Sequence, residues 1–388
     1  MPIILPKQNN QASQPDKAVT QTIEPKIFGG KILDKINLFL EKLSPIPISE
    51  KLFFFQYLGI MLKAGISLSV ALKTLAKQTS NKRFSGIIIE ISKNVERGVS
   101  LTESLKPHEK VFGQLSVNMI ESGEVSGKLE EVLKKLYIQF KKSHELISKV
   151  KGALTYPIVI LTAMFGIGIF MMTVVVPKIT AMFKDFNAEL PWSTKLLIKF
   201  SDSLVAHGAL YLAALAIFIV AFAKLIKTTK GKRIFHRLLL QLPVAGVIIK
   251  KINLARFART ISSLLKTDIM IIKSFQITAA VLGNVCYREA LLEMGGKIKK
   301  GDTINEIISN YPKLFPPVVT QMISVGEETG ELDYVLEELA EFYEGEIDQT
   351  MNSLPSIIEP ILILTLGLVV GAMAIAIVMP MYALTSVI

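Results

Sequence analysis

The chain is poor in the residues that build catalytic and metal chemistry. Of 388 residues one is cysteine, Cys286, so no disulfide can close within the chain. The four histidines, His108, His144, His207 and His236, are scattered, and with one cysteine they give no zinc-type spacing. No H-E-x-x-H or G-x-S-x-G occurs. Only 20% of residues are charged while 50% are hydrophobic, and the mean hydropathy is +0.44. A positive mean over this length argues against an ordinary soluble enzyme and for a membrane protein. The expectation is therefore no catalytic residue, no cofactor and no metal.

Acidic charge is the minority: 33 Asp and Glu stand against 44 Lys and Arg, a net charge of +11. Such a surplus fits nucleic acid or the cytoplasmic face of a membrane, and the placement of the charges decides. Three stretches are long and apolar enough to span a bilayer: 153–176, 204–223, and 356–388, the last uncharged from Pro360 onward. Lysines crowd the entrance to the first, at Lys134, Lys135, Lys141, Lys142, Lys149 and Lys151. The exit of the second is equally basic, with Lys224, Lys227, Lys230, Lys232, Arg233 and Arg237. The loop between them, 177–203, is mixed. The positive-inside rule then puts the N-terminus and the 224–354 region in the cytoplasm, and the 177–203 loop and the C-terminus outside. Membrane orientation accounts for much of the surplus, and no nucleic-acid partner is expected.

Residues 1–28 lack an apolar core of signal-peptide length and read as a disordered tail. Residues 31–44 read as a short amphipathic helix with Ile32, Ile36, Phe39 and Leu43 on one face, docked on the next domain or lying in the membrane interface. This tail and helix make up 1–48.

The chain is internally duplicated. Gly123-Glu124-Val125-Ser126-Gly127-Lys128-Leu129 recurs 203 residues later as Gly326-Glu327-Glu328-Thr329-Gly330-Glu331-Leu332. Within 112–140, 10 of 29 positions are identical at that offset. Pro157 pairs with Pro360 and Pro177 with Pro380. Each copy is a helical domain, 49–150 and 224–354 (the latter with a basic linker), followed by one span. The middle span has no repeat partner; it returns the chain so that both copies lie on one side. The fold class is thus an all-α membrane protein with two tandem homologous cytoplasmic helical-bundle domains, about six helices each, and three transmembrane helices. Gly98 before Ser100-Leu101-Thr102-Glu103, and Gly301 before Thr303-Ile304-Asn305-Glu306, read as a C-cap glycine and a capping box. Ser126 and Thr329 read as N-caps of the helices that follow Gly123 and Gly326.

The Gly123–Leu129 motif is not a phosphate loop: its spacing is one residue short, Leu129 stands where a hydroxyl is needed, and the second copy has Glu331 for the lysine. In the last span Gly367 and Gly371 form a G-x-x-x-G, a face on which helices pack closely in lipid. Pro157, Pro177, Pro360 and Pro380 bracket the repeated spans and read first as helix starts and stops, second as kinks. Glu359 reads as a carboxylate at a helix end, with a functional role as the alternative. Finally, Lys134 and Lys135 become Glu337 and Glu338 at the 203 offset. The two faces either drifted apart in solvent or attract each other, within a chain or between protomers.

Together these features resemble the type II secretion system F family: two tandem helical domains, paired Gly-Glu-x-[Ser/Thr]-Gly-x-Leu motifs, Tyr156-Pro157 opening the first span, and Glu359-Pro360 opening the last, with Gly367, Gly371 and Pro380. The resemblance implies a non-enzymatic inner-membrane platform for a type IV pilus or a type II secretion pseudopilus. It implies a cytoplasmic hexameric secretion ATPase, pilins or pseudopilins and other inner-membrane assembly proteins as partners, and a homo-oligomer. It makes Gly123, Glu124, Ser126, Gly127, Gly326, Glu327, Thr329 and Gly330 candidates for a partner interface. The alternative function is a transporter or channel subunit without its own ATPase.

Overall fold

A computed structural model describes residues 45–185 and 192–385. The N-terminal tail, the helix expected at 31–44 and part of the 177–203 loop lie outside the described residues. Those that are described form helices and no strand. The first copy contains α1 (Ile48–Lys63), α2 (Leu68–Gln78), α3 (Lys82–Glu96), α4 (Leu101–Leu105), α5 (Glu109–Phe112), α6 (Gln114–Val125) and α7 (Leu129–Phe170). Then come α8 (Val176–Asp185), α9 (Trp192–Lys227) and α10 (Thr229–Gln241). The second copy contains α11 (Ala245–Leu265), α12 (Ile271–Val281), α13 (Val285–Ile298), α14 (Ile304–Ser309), α15 (Pro317–Thr329) and α16 (Leu332–Thr385).

The duplication holds to the residue. Helices α2, α3, α4, α6 and α7 begin at 68, 82, 101, 114 and 129, and α12 to α16 begin 203 residues later, at 271, 285, 304, 317 and 332. The short helices start where the spacing of caps requires. Ser100 Oγ accepts from Glu103 N at 3.1 Å, and Thr303 Oγ1 from Glu306 N at 3.3 Å. Each preceding turn ends at a glycine of positive φ, Gly98 at 85° and Gly301 at 101°.

Each copy has its own core. In the first, Phe112 packs against Phe54 and Phe84 with ring centroids 5.3 and 5.6 Å apart. In the second, Phe315 meets Phe257 and Tyr287 at 5.2 and 5.5 Å, so the aromatic triangle is conserved in space. Tyr287, fully buried, donates its hydroxyl to the Leu314 carbonyl at 2.7 Å, and burial pushes the phenol's pKa up. The cores interlock: Leu264, Ile269 and Ile277 of the second copy complete the first core, while Leu146 of α7 enters the second. The two repeats therefore form one packed body rather than beads on a string.

Three helical stretches are long and apolar enough to cross a bilayer: Leu129–Ala181, Thr194–Lys227 and Leu332–Ile375. The bent pair α10 and α11, which meet at 107°, is also apolar, but α11 is buried in the second core. The first and third spans are not separate from the domains. Helix α7 runs 42 residues and α16 runs 54, each from the packed core of its copy into the apolar stretch. Pro157 and Pro360 do not start helices. Both sit inside continuous helices, and Pro177 and Pro380 likewise lie within α8 and α16. A proline deletes one backbone donor, but strong helix on both sides propagates through it, and membrane helices tolerate the loss. The departures from regular geometry fall elsewhere. A π-turn occupies Met171–Val175, and the Ser201 hydroxyl from α9 donates to the Met172 carbonyl there. A kink lies at His207 in α9, with φ −121° and ψ 17°.

Candidate functional site

The repeated motif is a joint between helices. Gly123 lies in α6 where it crosses α7, and an added Cβ would come 2.7 Å from Val132 Cγ2. Its equivalent, Gly326, would bring a Cβ to 3.0 Å from the Leu332 Cα and 3.2 Å from Val335 Cβ. A side chain at Gly123 would force Val132 to shift, and one at Gly326 would require its neighbours to give by a few tenths of an ångström, so glycine suits both crossings. Glu124 then reaches across to the start of α4: Oε1 accepts from Leu101 N at 2.7 Å, and Oε2 from Thr102 N and Oγ1 at 2.9 and 2.6 Å. Glu327 does the same for α14, accepting from Ile304 N at 2.8 Å and Asn305 N at 3.1 Å. A carboxylate on free amides at a helix N-terminus is a charge-assisted cap.

The hydroxyls of the motif work differently from the expectation. Ser126 and Thr329 do not cap the helices that follow. Ser126 Oγ donates back to the Ser122 carbonyl at 2.7 Å; Thr329 Oγ1 donates to the Val325 carbonyl at 2.8 Å and accepts a long bond, 3.4 Å, from Glu331 N just ahead of α16. They belong to the ends of α6 and α15. The reversal into α7 and α16 is made by Gly127 at φ 70° and Gly330 at φ 77°. Ser126, Gly127, Thr329 and Gly330 are exposed, whereas Gly123 and Gly326 are buried.

A charged seam joins the copies along α7, α11 and α16. Lys134 and Lys135 do not meet Glu337 and Glu338. Lys135 Nζ donates to the Lys266 carbonyl at 2.7 Å and pairs with Glu131 at 2.8 Å, holding that carboxylate below its usual range. Glu337 instead pairs with the Lys266 ammonium. Lys266 thus stands between the two, because α11 lies between α7 and α16 at this level. Lys134 and Glu338 are exposed. The direct pairs form farther along, where the helices converge: Lys142 with Glu344 at 3.1 Å, and Lys149 with Asp348 at 2.5 Å. Arg259 anchors the centre, gripping Glu344 in two bonds of 2.9 and 3.0 Å. Both are nearly buried. Gln139 adds bonds to Thr260 at 3.0 Å and Ser263 at 3.3 Å. Beside them a cavity of about 240 Å³ includes Arg256, whose buried Nε lacks a partner and whose guanidinium burial holds below its usual pKa range. Sequence reasoning missed Arg259, Arg256 and Gln139; two cations three residues apart on an apolar helix were the available signal.

Between the three spans lies an apolar cleft of about 530 Å³, lined by Phe165, Met172, Phe200, Leu204, Thr365 and Val369 among others. Gly367 is exposed, and neither it nor Gly371 has a neighbour within 4 Å of an added Cβ, so no described helix packs on the G-x-x-x-G face. Glu359 and Pro360 are exposed, Pro157 is buried, and the side chain of Pro380 lies outside the description. No cluster of three potential metal ligands occurs among the described residues.

The geometry defines a class: a multi-pass membrane protein in which two copies of one helical domain each continue, as an unbroken helix, into a span. Comparison makes the family specific. The chain matches the family "Type II secretion system (T2SS), protein F" twice, over residues 54–177 and 257–380, segments 203 residues apart like the repeat itself. It belongs to that family. It is 37% identical over 336 residues to the type IV pilus assembly protein PilC of Thermus thermophilus, covering 86% of this chain and 82% of the relative. It is 34% identical to PilC of Myxococcus xanthus, covering 87% and 81%. To the type II secretion system protein F of Aeromonas hydrophila it is 30% identical, covering 88% and 87%.

Proposed function

We propose that this protein is a non-enzymatic inner-membrane platform for assembly of a type IV pilus, or of the related pseudopilus, coupling a cytoplasmic secretion ATPase to the movement of pilin subunits between bilayer and fibre. Pilus assembly is the first choice because pilus assembly relatives reach 37% and 34% identity, while the type II secretion relatives lie at 26–30%. The observation that supports a coupling role is helix continuity. Helix α16 has 54 residues, about 80 Å at 1.5 Å per residue, and begins at the repeated joint. Helix α7 begins at the equivalent joint and is tied to α16 by the Lys142–Glu344 and Lys149–Asp348 pairs. A push on either cytoplasmic domain therefore moves a rod that enters the membrane. The exposed Ser126-Gly127 and Thr329-Gly330 turns, at the rods' ends, are the surfaces where a motor would engage. The apolar cleft between the spans suits the apolar helix of a pilin, and the open face at Gly367 and Gly371 suits another copy of this chain.

The test is reconstitution of the full chain in liposomes with the secretion ATPase of the same organism. The platform should co-purify with the motor and show no ATP hydrolysis of its own, and cells lacking it should carry no fibres. Intrinsic hydrolysis that survives removal of contaminating motors, or normal fibres without the protein, would overturn the reading.

A further inference from the structure

Helix α10 begins two residues after the second span ends, and among the described residues none covers its outer face. The turn is built to be tight. Thr228 caps α10 by accepting from Gly231 N at 3.1 Å, and an added Cβ on Gly231 would fall 2.1 Å from the Leu225 carbonyl oxygen. Phe235 of α10 packs edge-on to Phe222 of the span at 6.1 Å. The inner face is fixed to the second domain: Arg233 donates to Glu289 at 2.6 and 3.0 Å, and His236 Nδ1 accepts from Val285 N at 3.0 Å.

The outer face is apolar and continuous with the flank of the span. Leu225 is 61% exposed at the span's end, Ile234 and Leu238 are 68% and 57% exposed one turn apart, and Leu242, Val244 and Val247 follow at 45–49%. A helix bathed in the cytosol would keep that strip in water, forgoing about 25 cal/mol for every Å² it could bury. The charge around it is of one sign. Between Asp202 and Asp268 the chain has no carboxylate at all, while six cations lie within 224–237. Only Arg233 among these six has a carboxylate partner in an ion pair given by the structure, Glu289. Lys230 and Arg237 are exposed and border the apolar strip.

We propose that α10 and the turn after it are an interfacial anchor: Ile234, Leu238 and Leu242 lie at the boundary of headgroups and acyl chains beside the second span, and Lys227, Lys230 and Arg237 bind anionic phospholipid headgroups. An apolar strip flanked by long cationic side chains is the pattern that lies in the membrane plane, with the alkyl stems in the apolar layer and the charges at the phosphates. The anchor pins the second domain, through Glu289 and Val285, against the bilayer. It gives the domain a fixed height and tilt that a flexible linker would not. This rests on the span, not on the assembly function.

The chain has a single tryptophan, Trp192, so Trp192→Phe leaves a silent background. In that background Ile234→Trp serves as reporter and Ile89→Trp, on α3 and 43% exposed, as the water-facing control. The full-length variants are placed in nanodiscs of phosphatidylcholine, with or without phosphatidylglycerol, using lipids brominated on the acyl chain. The tryptophan at 234 should emit blue-shifted and be quenched several-fold more than that at 89. Phosphatidylglycerol should deepen the quenching, and Lys227→Gln with Lys230→Gln and Arg237→Gln should abolish that increment. Leu238→Trp repeats the measurement if the first reporter disturbs folding. Quenching no greater than at 89 overturns the proposal. A blue shift without quenching also overturns it, since protein, such as a second copy of the chain, then covers the face.

Discussion

Gly123 and Glu124 illustrate how little of a motif's meaning lies in its letters. The same pair suggests a phosphate loop on paper, yet one residue allows α6 to cross α7 and the other caps α4. Gly123→Ala should destabilise the first domain by about 1–3 kcal/mol, the ordinary cost of overpacking against Val132. Glu124→Ala should cost about 1–3 kcal/mol by leaving the α4 amides without their acceptor. Hydrogen exchange is the measurement, with lost protection at Leu101 and Thr102 in the second variant and at the α6–α7 crossing in the first. Unchanged protection in either would mean that the joint is not what holds these helices. Because the joint is duplicated, Glu327→Ala should deprotect Ile304 and Asn305 and leave the first domain as it was.

At the scale of elements, the seam between α7, α11 and α16 separates two arginines three residues apart. Arg259 is paired with Glu344, which would keep Lys142 at 3.1 Å but lose its two short buried bonds to the guanidinium. Arg259→Leu should therefore cost about 1–3 kcal/mol. Arg256, with its orphaned Nε, has no such partner to strand, so Arg256→Leu should leave stability unchanged or raise it. Thermal unfolding of the detergent-solubilised chain distinguishes them, and equal losses would refute the assignment. The exposed Lys149–Asp348 pair is a weaker tie: a double-mutant cycle should return about 0–1 kcal/mol of coupling. Reversing Lys134 and Lys135 should not be rescued within the chain by Glu337→Lys with Glu338→Lys. In the fold the four do not meet, so rescue would reveal a contact between copies.

For the whole molecule, charge gives the orientation we propose. By the positive-inside rule the basic flanks of the spans would put both domains on the cytoplasmic side of the bilayer. In a Cys286→Ser background, Asp202→Cys should react with an impermeant thiol reagent in intact spheroplasts and Lys110→Cys only after lysis; the opposite pattern would invert the topology. Asp202 and Lys110 are both exposed, so reactivity reports the compartment and not burial.

The duplication and its 203-residue offset, the all-helical class, the three long apolar helices and the caps before α4 and α14 are legible in the linear order of residues. These depend on local periodicity, on hydrophobic length and on residues within one turn of each other, so the linear order contains them. Tertiary structure decided the rest. That Pro157 and Pro360 lie inside unbroken rods, that Ser126 and Thr329 close the helix before them, and that Lys142 rather than Lys134 finds an acidic partner all depend on the rotation and register of helices about 200 residues apart. Those are fixed by the interlocked cores, in which Leu264 fills the first domain and Leu146 the second. A charge pattern names the faces that can attract. Only packing sets which pairs reach within bonding distance.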